Sequence, residues 1–276
     1  MIRPSFVAFI RFFAPLIRLS FRPRLEGIEH LPQNGPYLLV ANHSAGIAIA
    51  ECLSFALLYL EKVGAARSLA AFAHPLGFYV WPASSVLRSV GAIPSTREAG
   101  EAALRSGVPI LVFPGGDHEA MRPLWQANRV DFNGRTGFLK LARAARVPIV
   151  PMGIHGSHYT MPILWRSNYV LPRLLVLPWL FGLKRFPVTL VGLLGAIALL
   201  AFAPFGWPFR LLAAWLWFMM PFPTMLPWVP FPIRMRIGRP IPTDALFSDD
   251  GDAALQGALT KVEGKIRDLV VGTSIS

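Results

Sequence analysis

Asn42-His43 follows a wholly apolar run, Pro36-Tyr-Leu-Leu-Val-Ala41, and the first acid after the pair is Glu51. A histidine emerging from the end of a buried strand is placed for general-base work. Free imidazole titrates near pH ~6.5, so its neutral form can take a proton from an attacking hydroxyl. A carboxylate on the other ring nitrogen would fix the tautomer and stabilise the imidazolium that forms. Glu51 is the candidate for that carboxylate. At +8 it cannot sit on one continuous helix face at contact distance from His43, so a loop through Ser44 and Gly46 must fold it back. Cys52 is a poor nucleophile: a neighbouring carboxylate raises a thiol pKa. It is also the single cysteine, so no disulfide within the chain exists, which suits a reducing compartment.

Two further stretches hold groups able to join this chemistry. Val112-Phe-Pro-Gly-Gly-Asp-His-Glu119, followed by Arg122, places Pro114 and the paired glycines Gly115 and Gly116 just after another apolar run. Consecutive glycines permit close backbone approach and leave amides for an oxyanion or a phosphate. Glu119 and Arg122 stand at i,i+3, where they either pair or line the site, and His118 lies beside the glycines as lining. Gly91-Ala-Ile-Pro-Ser-Thr-Arg97 ends on an arginine near a helix start, suited to binding a phosphate. Arg135 is a stacking or phosphate-facing candidate. His155-x-x-His158 lacks a third ligand at sensible spacing, so no metal is expected. No Gly-x-Ser-x-Gly elbow is present, which argues against a serine hydrolase.

Strands alternating with helices must carry these loops. Strands are expected at Pro36–Ala41, Leu69–Ala73, Ile110–Phe113, Val147–Gly153 and Ile233–Ile237. Helices are expected at 46–62, at 75–90 with an interruption near Pro82, at 95–107 from a Ser95–Glu98 capping box, and at 134–146. Leu255, Leu259, Val262, Ile266 and Leu269 repeat at +4 and +3, a regular amphipathic helix. The fold class is therefore α/β, a mixed sheet flanked by helices.

The chain has 276 residues, 54% hydrophobic and 15% charged, with a net charge of +12. That apolar content exceeds what a core needs and points to lipid. The basic excess then suits an anionic membrane surface, and nucleic acid is excluded as a partner for want of any groove-binding pattern. Residues 1–24 place Arg3, Arg11, Arg18 and Arg22 on one side of an otherwise apolar helix, the pattern of an interfacial helix. Residues 174–230 hold a charge-free run from 186 to 209, with Trp215, Trp217 and then Trp228 following, expected as a membrane-dipping hairpin. A two-pass span is the alternative. The expected layout is thus 1–24 interfacial helix, 25–173 α/β core, 174–230 membrane-associated hairpin insertion, and 231–276 a strand and helix returning to the core.

In sequence order, Asn42-His43, Gly91–Arg97, Phe113-Pro-Gly-Gly116 and Val147-Pro-Ile-Val-Pro151 resemble the four blocks of the PlsC-type glycerolipid acyltransferases, across roughly residues 25–160 plus 233–242. The Pro-Gly-Gly-x-x-Glu string and Gly134-Arg-Thr-Gly-Phe138 are similar to those of the branch near bacterial wax ester and diacylglycerol acyltransferases. The chain departs from the pattern twice. Ala48 stands where the His-x4-Asp acid should be, and Gly115 replaces the usual third-block glutamate. The resemblance implies a membrane-associated enzyme with its site facing the cytoplasm. It would use no cofactor and move a fatty acyl group from acyl-CoA or acyl carrier protein to a lipid hydroxyl. His43 and Glu51 would be catalytic, and Asn42, Arg97, Pro114, Gly115, Gly116, Glu119, Arg122 and Arg135 substrate-binding. The family associates the third-block glutamate with a glycerol-phosphate acceptor, so Gly115 favours a neutral one such as diacylglycerol. The alternatives are a lysophosphatidate acyltransferase and, in another class, a non-catalytic lipid-binding or transfer protein on the same fold.

Overall fold

A computed structural model describes residues 3–44, 49–180, 184–247 and 251–272. Its centre is a seven-stranded mixed sheet of order β1-β9-β6-β2-β5-β3-β4. The strands are β1 Arg24–Glu26, β2 Leu38–Ala41, β3 Ala70–Ala73, β4 Ala92–Pro94, β5 Ile110–Val112, β6 Ile149–His155 and β9 Arg234–Ile237. β2, β3, β4, β5 and β6 run parallel to one another, while β9 is antiparallel to β6 and parallel to β1. β2 lies between β5 and β6 with all four residues buried. A central parallel strand is covered on both faces, which is why it reads as an unbroken apolar run.

Two helical layers cover the sheet. On one face lie α1 Pro4–Phe21 and α2 Ile49–Lys62, whose Ile10, Ile17, Phe21, Phe55 and Leu58 pack over Leu39, Ala41 and Met152. On the other lie α4 Arg97–Arg105, α6 Gly137–Ala145 and α9 Asp252–Val271, packing Leu104, Phe138, Leu139, Leu259 and Val262 over Leu38, Val40, Ile110 and Ile149. The stripe read in the C-terminal sequence is the buried face of α9. α9 presses so close to β6 that a Cβ on Gly153 would stand 2.6 Å from the Val270 amide nitrogen.

The expected boundaries shift where tertiary contacts intervene. The helix expected over 46–62 is described from Ile49 to Lys62, and 45–48, with Gly46 and Ala48, lie outside the described residues. Residues 75–90 form a 3-10 turn, Pro75–Phe78, and then α3 Ala83–Ser89. The capping box at Ser95 is corrected by one residue. The Ser95 amide still bonds Ala73 O across the sheet at 2.9 Å, so Thr96 becomes the N-cap and its Oγ1 accepts from the Ala99 amide at 3.3 Å. α4 ends at Arg105 rather than Gly107, and α6 begins at Gly137 rather than Gly134.

The apolar insertion is built differently from a two-pass span. β7 Ile163–Asn168 and β8 Arg185–Thr189 form a separate antiparallel ribbon. So Val188 and Thr189 are strand residues, not the start of a helix. The ribbon leads into two helices, α7 Leu190–Phe202 and α8 Trp207–Met219, packed as a hairpin. Each has 13 residues and so reaches ~20 Å, short of a ~30 Å hydrocarbon layer. Thr189 caps α7 through the Gly192 amide at 2.9 Å. Arg210, the one charged residue of the hairpin, turns back onto the carbonyls of Leu200, Ala201 and Phe205 at 2.9–3.1 Å. Those are carbonyls that a helix end leaves open. Around this tip Phe202, Phe205, Trp207 and Phe209 are exposed.

α1 has a comparable face. It is long and apolar enough to cross a bilayer, yet Ile10, Ile17 and Phe21 dock it along the domain and Arg18 pairs with Glu61 at 2.6 Å. Phe9, Phe12, Leu16 and Leu19 point outward, with Phe12 78% exposed, beside Arg11 and Arg22. We expect Phe12→Ser with Leu19→Ser to weaken co-sedimentation with anionic vesicles at least several-fold while leaving the far-UV circular dichroism unchanged. Each leucine-sized group withdrawn from lipid forfeits ~2 kcal/mol. Undiminished vesicle binding would place the lipid contact elsewhere.

Candidate active site

The carboxyl ends of β2, β5 and β6 are adjacent, and the loops leaving them meet. Asn42 is the first residue past β2. Its carboxamide donates to Ile154 O at 2.9 Å and accepts from Ile154 N–H at 2.7 Å. Both ends of this buried amide are thereby used, so Asn42 ties the loop to β6 rather than binding substrate. His43 follows. Its Nδ1 lies 2.6 Å from Glu51 Oε1, and its ring stacks on Phe113 at 4.7 Å between centroids.

Glu51 belongs to the first turn of α2, which returns it to the end of the strand that His43 leaves. Its side chain is fully buried. Ser44 N–H and Ser44 Oγ donate to it at 3.2 and 2.8 Å, and Ser157 Oγ at 2.8 Å. The two serine hydroxyls also contact each other. With one carboxylate oxygen on Nδ1, Nε2 is the His43 ring nitrogen with no hydrogen-bond partner among the described residues. Sequence alone assigns Ser157 no role, Ser44 only a place in the folded-back loop and Phe113 only a place in the third block. Ser157 lies 106 residues from Glu51, and only the adjacency of β6 and β2 brings them together.

The glycine loop is occupied by its own chain. Gly116 takes φ +46, and its amide bonds Phe113 O at 3.1 Å, so it is not open to an oxyanion. Of the glycine pair, the Gly115 amide is the one that no carbonyl takes among the described residues. Arg135 braces the loop by donating to Gly115 O at 2.9 Å, to Pro114 O at 3.3 Å and to Asp117 at 2.7 Å. Asp117 also accepts from Arg185 at 2.6 Å, and Arg166 donates to His118 O at 2.9 Å. Burial alone would raise the Asp117 carboxyl, but the two arginines outweigh it and hold it below its usual range.

Glu119 is wholly buried beneath His43. Its Oε2 accepts the His43 amide at 2.9 Å and its Oε1 the Asp131 amide at 3.0 Å, with Arg122 at 3.7 Å. Burial pushes its carboxyl up to about 7 against the pull of those amides. Arg122, equally buried, is held by the carbonyls of Arg129 and Asp131. Glu119 and Arg122 thus pair with each other and with backbone. Arg97 is exposed on α4 and bonds Glu101 at 2.7 Å. It shares the rim with His43 but lies three strands away, roughly 14 Å at ~4.8 Å per strand. His158 is buried against the Glu119 backbone, and burial, then the charge of Arg122, pushes its ring down to about 3.

Residues 22–155 match the family model described as Acyltransferase. That segment, just under half of the chain, is of the acyltransferase family. The chain is 31% identical over 189 residues to an uncharacterized protein of Mycobacterium leprae, covering 68% of this chain and 47% of that one. Over 128 residues it is 32% identical to the human DGAT1/2-independent enzyme synthesizing storage lipids, covering 46% of this chain and 38% of the human one. The chain spans about half the length, or less, of the curated relatives it matches. Its fold is shared with the crystal structure of the 1-acyl-sn-glycerophosphate (LPA) acyltransferase PlsC from Thermotoga maritima: TM-score 0.53, 16% identity, 97% of this chain and 79% of that one covered. The four-block resemblance to the glycerolipid acyltransferases is therefore upheld, within the α/β fold expected for it.

Two outcomes follow from this geometry. Glu51→Gln leaves a neutral amide against Nδ1, which no longer favours the imidazolium. We expect kcat for acyl transfer to fall by about 10²–10⁴ with little change in KM. Steady-state kinetics at one saturating thioester concentration checks this, and an unchanged kcat would remove Glu51 from the reaction. His158 has its folded pKa depressed, so its contribution to stability is present above ~6.5 and is lost as pH falls toward 3. Urea unfolding between pH 7 and 4 should show a shallower acid loss in His158→Gln than in the parent; parallel curves would count against the burial argument.

Proposed function

We propose that this protein transfers a fatty acyl group from a thioester, acyl-CoA or acyl carrier protein, to the hydroxyl of a glycerolipid at a membrane surface. The observation that carries this reading is the 2.6 Å contact between His43 Nδ1 and the buried Glu51 carboxylate at the rim of the sheet, beside the glycine loop. His43 Nε2 takes the hydroxyl proton as the oxygen attacks the thioester carbonyl. The tetrahedral intermediate collapses with loss of the thiolate, which receives that proton from the imidazolium. Glu51 keeps its own charge throughout and stabilises the imidazolium. The Gly115 amide, which no backbone carbonyl takes among the described residues, is the donor offered to the developing oxyanion. The scheme uses no cofactor.

The acceptor is best read as neutral, diacylglycerol first. The arginines around the glycine loop are already engaged: Arg135 and Arg185 with Asp117, Arg122 with Glu119, and Arg166 with a carbonyl. A phosphorylated acceptor would have to displace these partners. The name of the human relative, an enzyme synthesizing storage lipids, agrees with this reading. The second reading, lysophosphatidate, rests on the fold shared with the Thermotoga enzyme. The outward faces of α1 and of the α7–α8 hairpin would hold the domain on the bilayer, with the thioester arriving from the cytoplasmic side.

A panel of diacylglycerol, monoacylglycerol, fatty alcohol and lysophosphatidate with radiolabelled acyl-CoA and acyl carrier protein tests this. Diacylglycerol is expected to be esterified fastest, and His43→Ala to lose at least ~10³ in rate. Turnover surviving in His43→Ala would defeat the mechanism. A wild-type protein that extracts lipid without turnover would establish the binding-protein alternative.

A further inference from the structure

Gly115 stands where the resembling family carries a glutamate, and the structure shows what fills the gap. A Cβ on Gly115 would lie 2.2 Å from Glu119 Cγ and 2.4 Å from Glu119 Cδ. Within one glutamate side chain, Cβ and Cδ are two bonds apart, ~2.5 Å at ordinary bond lengths. The carboxyl carbon of Glu119 therefore lies at a distance from position 115 that a glutamate there could also span, although Glu119 Oε2, at 2.3 Å, comes closer to that Cβ than such a side chain would hold its own oxygens. The side chain reaches that spot from one turn further along α5, Gly116–Ala120, and position 115 must be glycine to let it in.

The carboxylate delivered there is fully engaged. One oxygen takes the His43 amide and the other takes the Asp131 amide. The grip falls on the backbone of the very residue whose ring faces Glu51, and it joins the β2 loop to the segment ahead of α6. Three contacts then define the ring of His43: Glu51 on Nδ1, Phe113 against its face, and Glu119 beneath its backbone.

We propose that Glu119 is the positioning residue of the His43 loop, and that the site requires a carboxylate at this point in space rather than at a given position in the chain. Glycine at 115 then marks a relocated carboxylate, not a missing one. As far as it concerns catalysis, the proposal rests on the acyl-transfer reading above.

The test is a transplant in the full-length protein. Glu119→Gln, Glu119→Ala and the double variant Gly115→Glu/Glu119→Ala are compared with wild type by hydrogen exchange and by steady-state kinetics. In Glu119→Ala the peptides carrying the His43 and Asp131 amides should exchange about tenfold faster or more, because their acceptor is gone. kcat should fall about 10²-fold, the scale of a small displacement of a reacting group, with KM within about threefold. In the double variant both protections should return, and kcat should recover at least about tenfold. Gly115→Glu alone should be impaired, since two carboxylates then compete for one place. In Glu119→Gln, which keeps the fold but only one carbonyl oxygen, at least one of the two amides should lose protection.

Unchanged exchange at both amides in Glu119→Ala or Glu119→Gln overturns the proposal. So does a folded double variant as slow and as unprotected as Glu119→Ala. Should the double variant not fold, the exchange of Glu119→Gln decides the matter. Exchange does not depend on acyl transfer. A wild type without turnover would therefore defeat the functional reading while leaving the role of Glu119 to be judged on protection alone.

Discussion

A single carboxylate buried without exposure, Glu51, is the constraint around which the site is arranged. Taking such a charge out of water costs several kcal/mol unless its oxygens are satisfied. Four donors on three residues satisfy it: the His43 ring, the Ser44 amide and hydroxyl, and the Ser157 hydroxyl. Ser44 leaves β2, Ser157 follows β6, and Glu51 opens α2. The same bonds that make the charge tolerable therefore hold two strand ends and a helix start together. A fully satisfied polar network in a low-dielectric setting is rigid. That rigidity is inherited by the imidazole, whose outer nitrogen is left facing the rim.

Glu119 repeats the device one layer below, with different donors. It takes two backbone amides where Glu51 takes mostly side chains, and it has Arg122 beside it where Glu51 has the His43 ring. Burial raises the Glu119 carboxyl to about 7, because two amides and a guanidinium at 3.7 Å do not fully offset desolvation. Burial lowers His158, packed against the Glu119 backbone, to about 3. The floor of the site is thus a set of desolvated titratable groups held by backbone, and its shape depends on the sheet order that brings those backbones together.

The alternation of strands and helices was legible from periodicity, since a parallel sheet buried on both faces writes itself as short apolar runs. His43 and Glu51 were legible too, one by its place after such a run and the other as the first acid within reach of a folded-back loop. What stayed hidden depends on which strands are neighbours. Ser157 is a commonplace serine until β6 is known to lie beside β2. Asn42 looked like a substrate contact, and only the opposing Ile154 backbone shows both its ends engaged. The paired glycines promised two free amides, but the turn they form uses one on Phe113. Thr96 displaced Ser95 as a cap because the β3–β4 pairing runs one residue further than local pattern suggests. The charge-free run from 186 reads as lipid-embedded hairpin from its first residue, although it is strand through Thr189, because a strand in a small ribbon and a helix inside lipid are both simply hydrophobic.

The short helices of the insertion carry a last consequence for how a lipid hydroxyl meets His43. Two ~20 Å helices cannot carry the chain across a ~30 Å layer and back in a relaxed bilayer. Their exposed tip, Phe202 to Phe209, has its one charge folded onto helix-end carbonyls. α1 likewise keeps its arginines among outward phenylalanines and leucines while its other face stays docked on α2. Both elements are suited to lying in one leaflet, where an apolar face enters the acyl region and arginines remain among the headgroups. A glycerolipid hydroxyl sits at that same depth, at the boundary between headgroup and chain. A domain immersed only this far needs no lipid to leave the membrane entirely. On the acyl-transfer reading proposed above it needs a rigid base at the rim of its sheet, and the buried carboxylates beneath His43 would supply that rigidity.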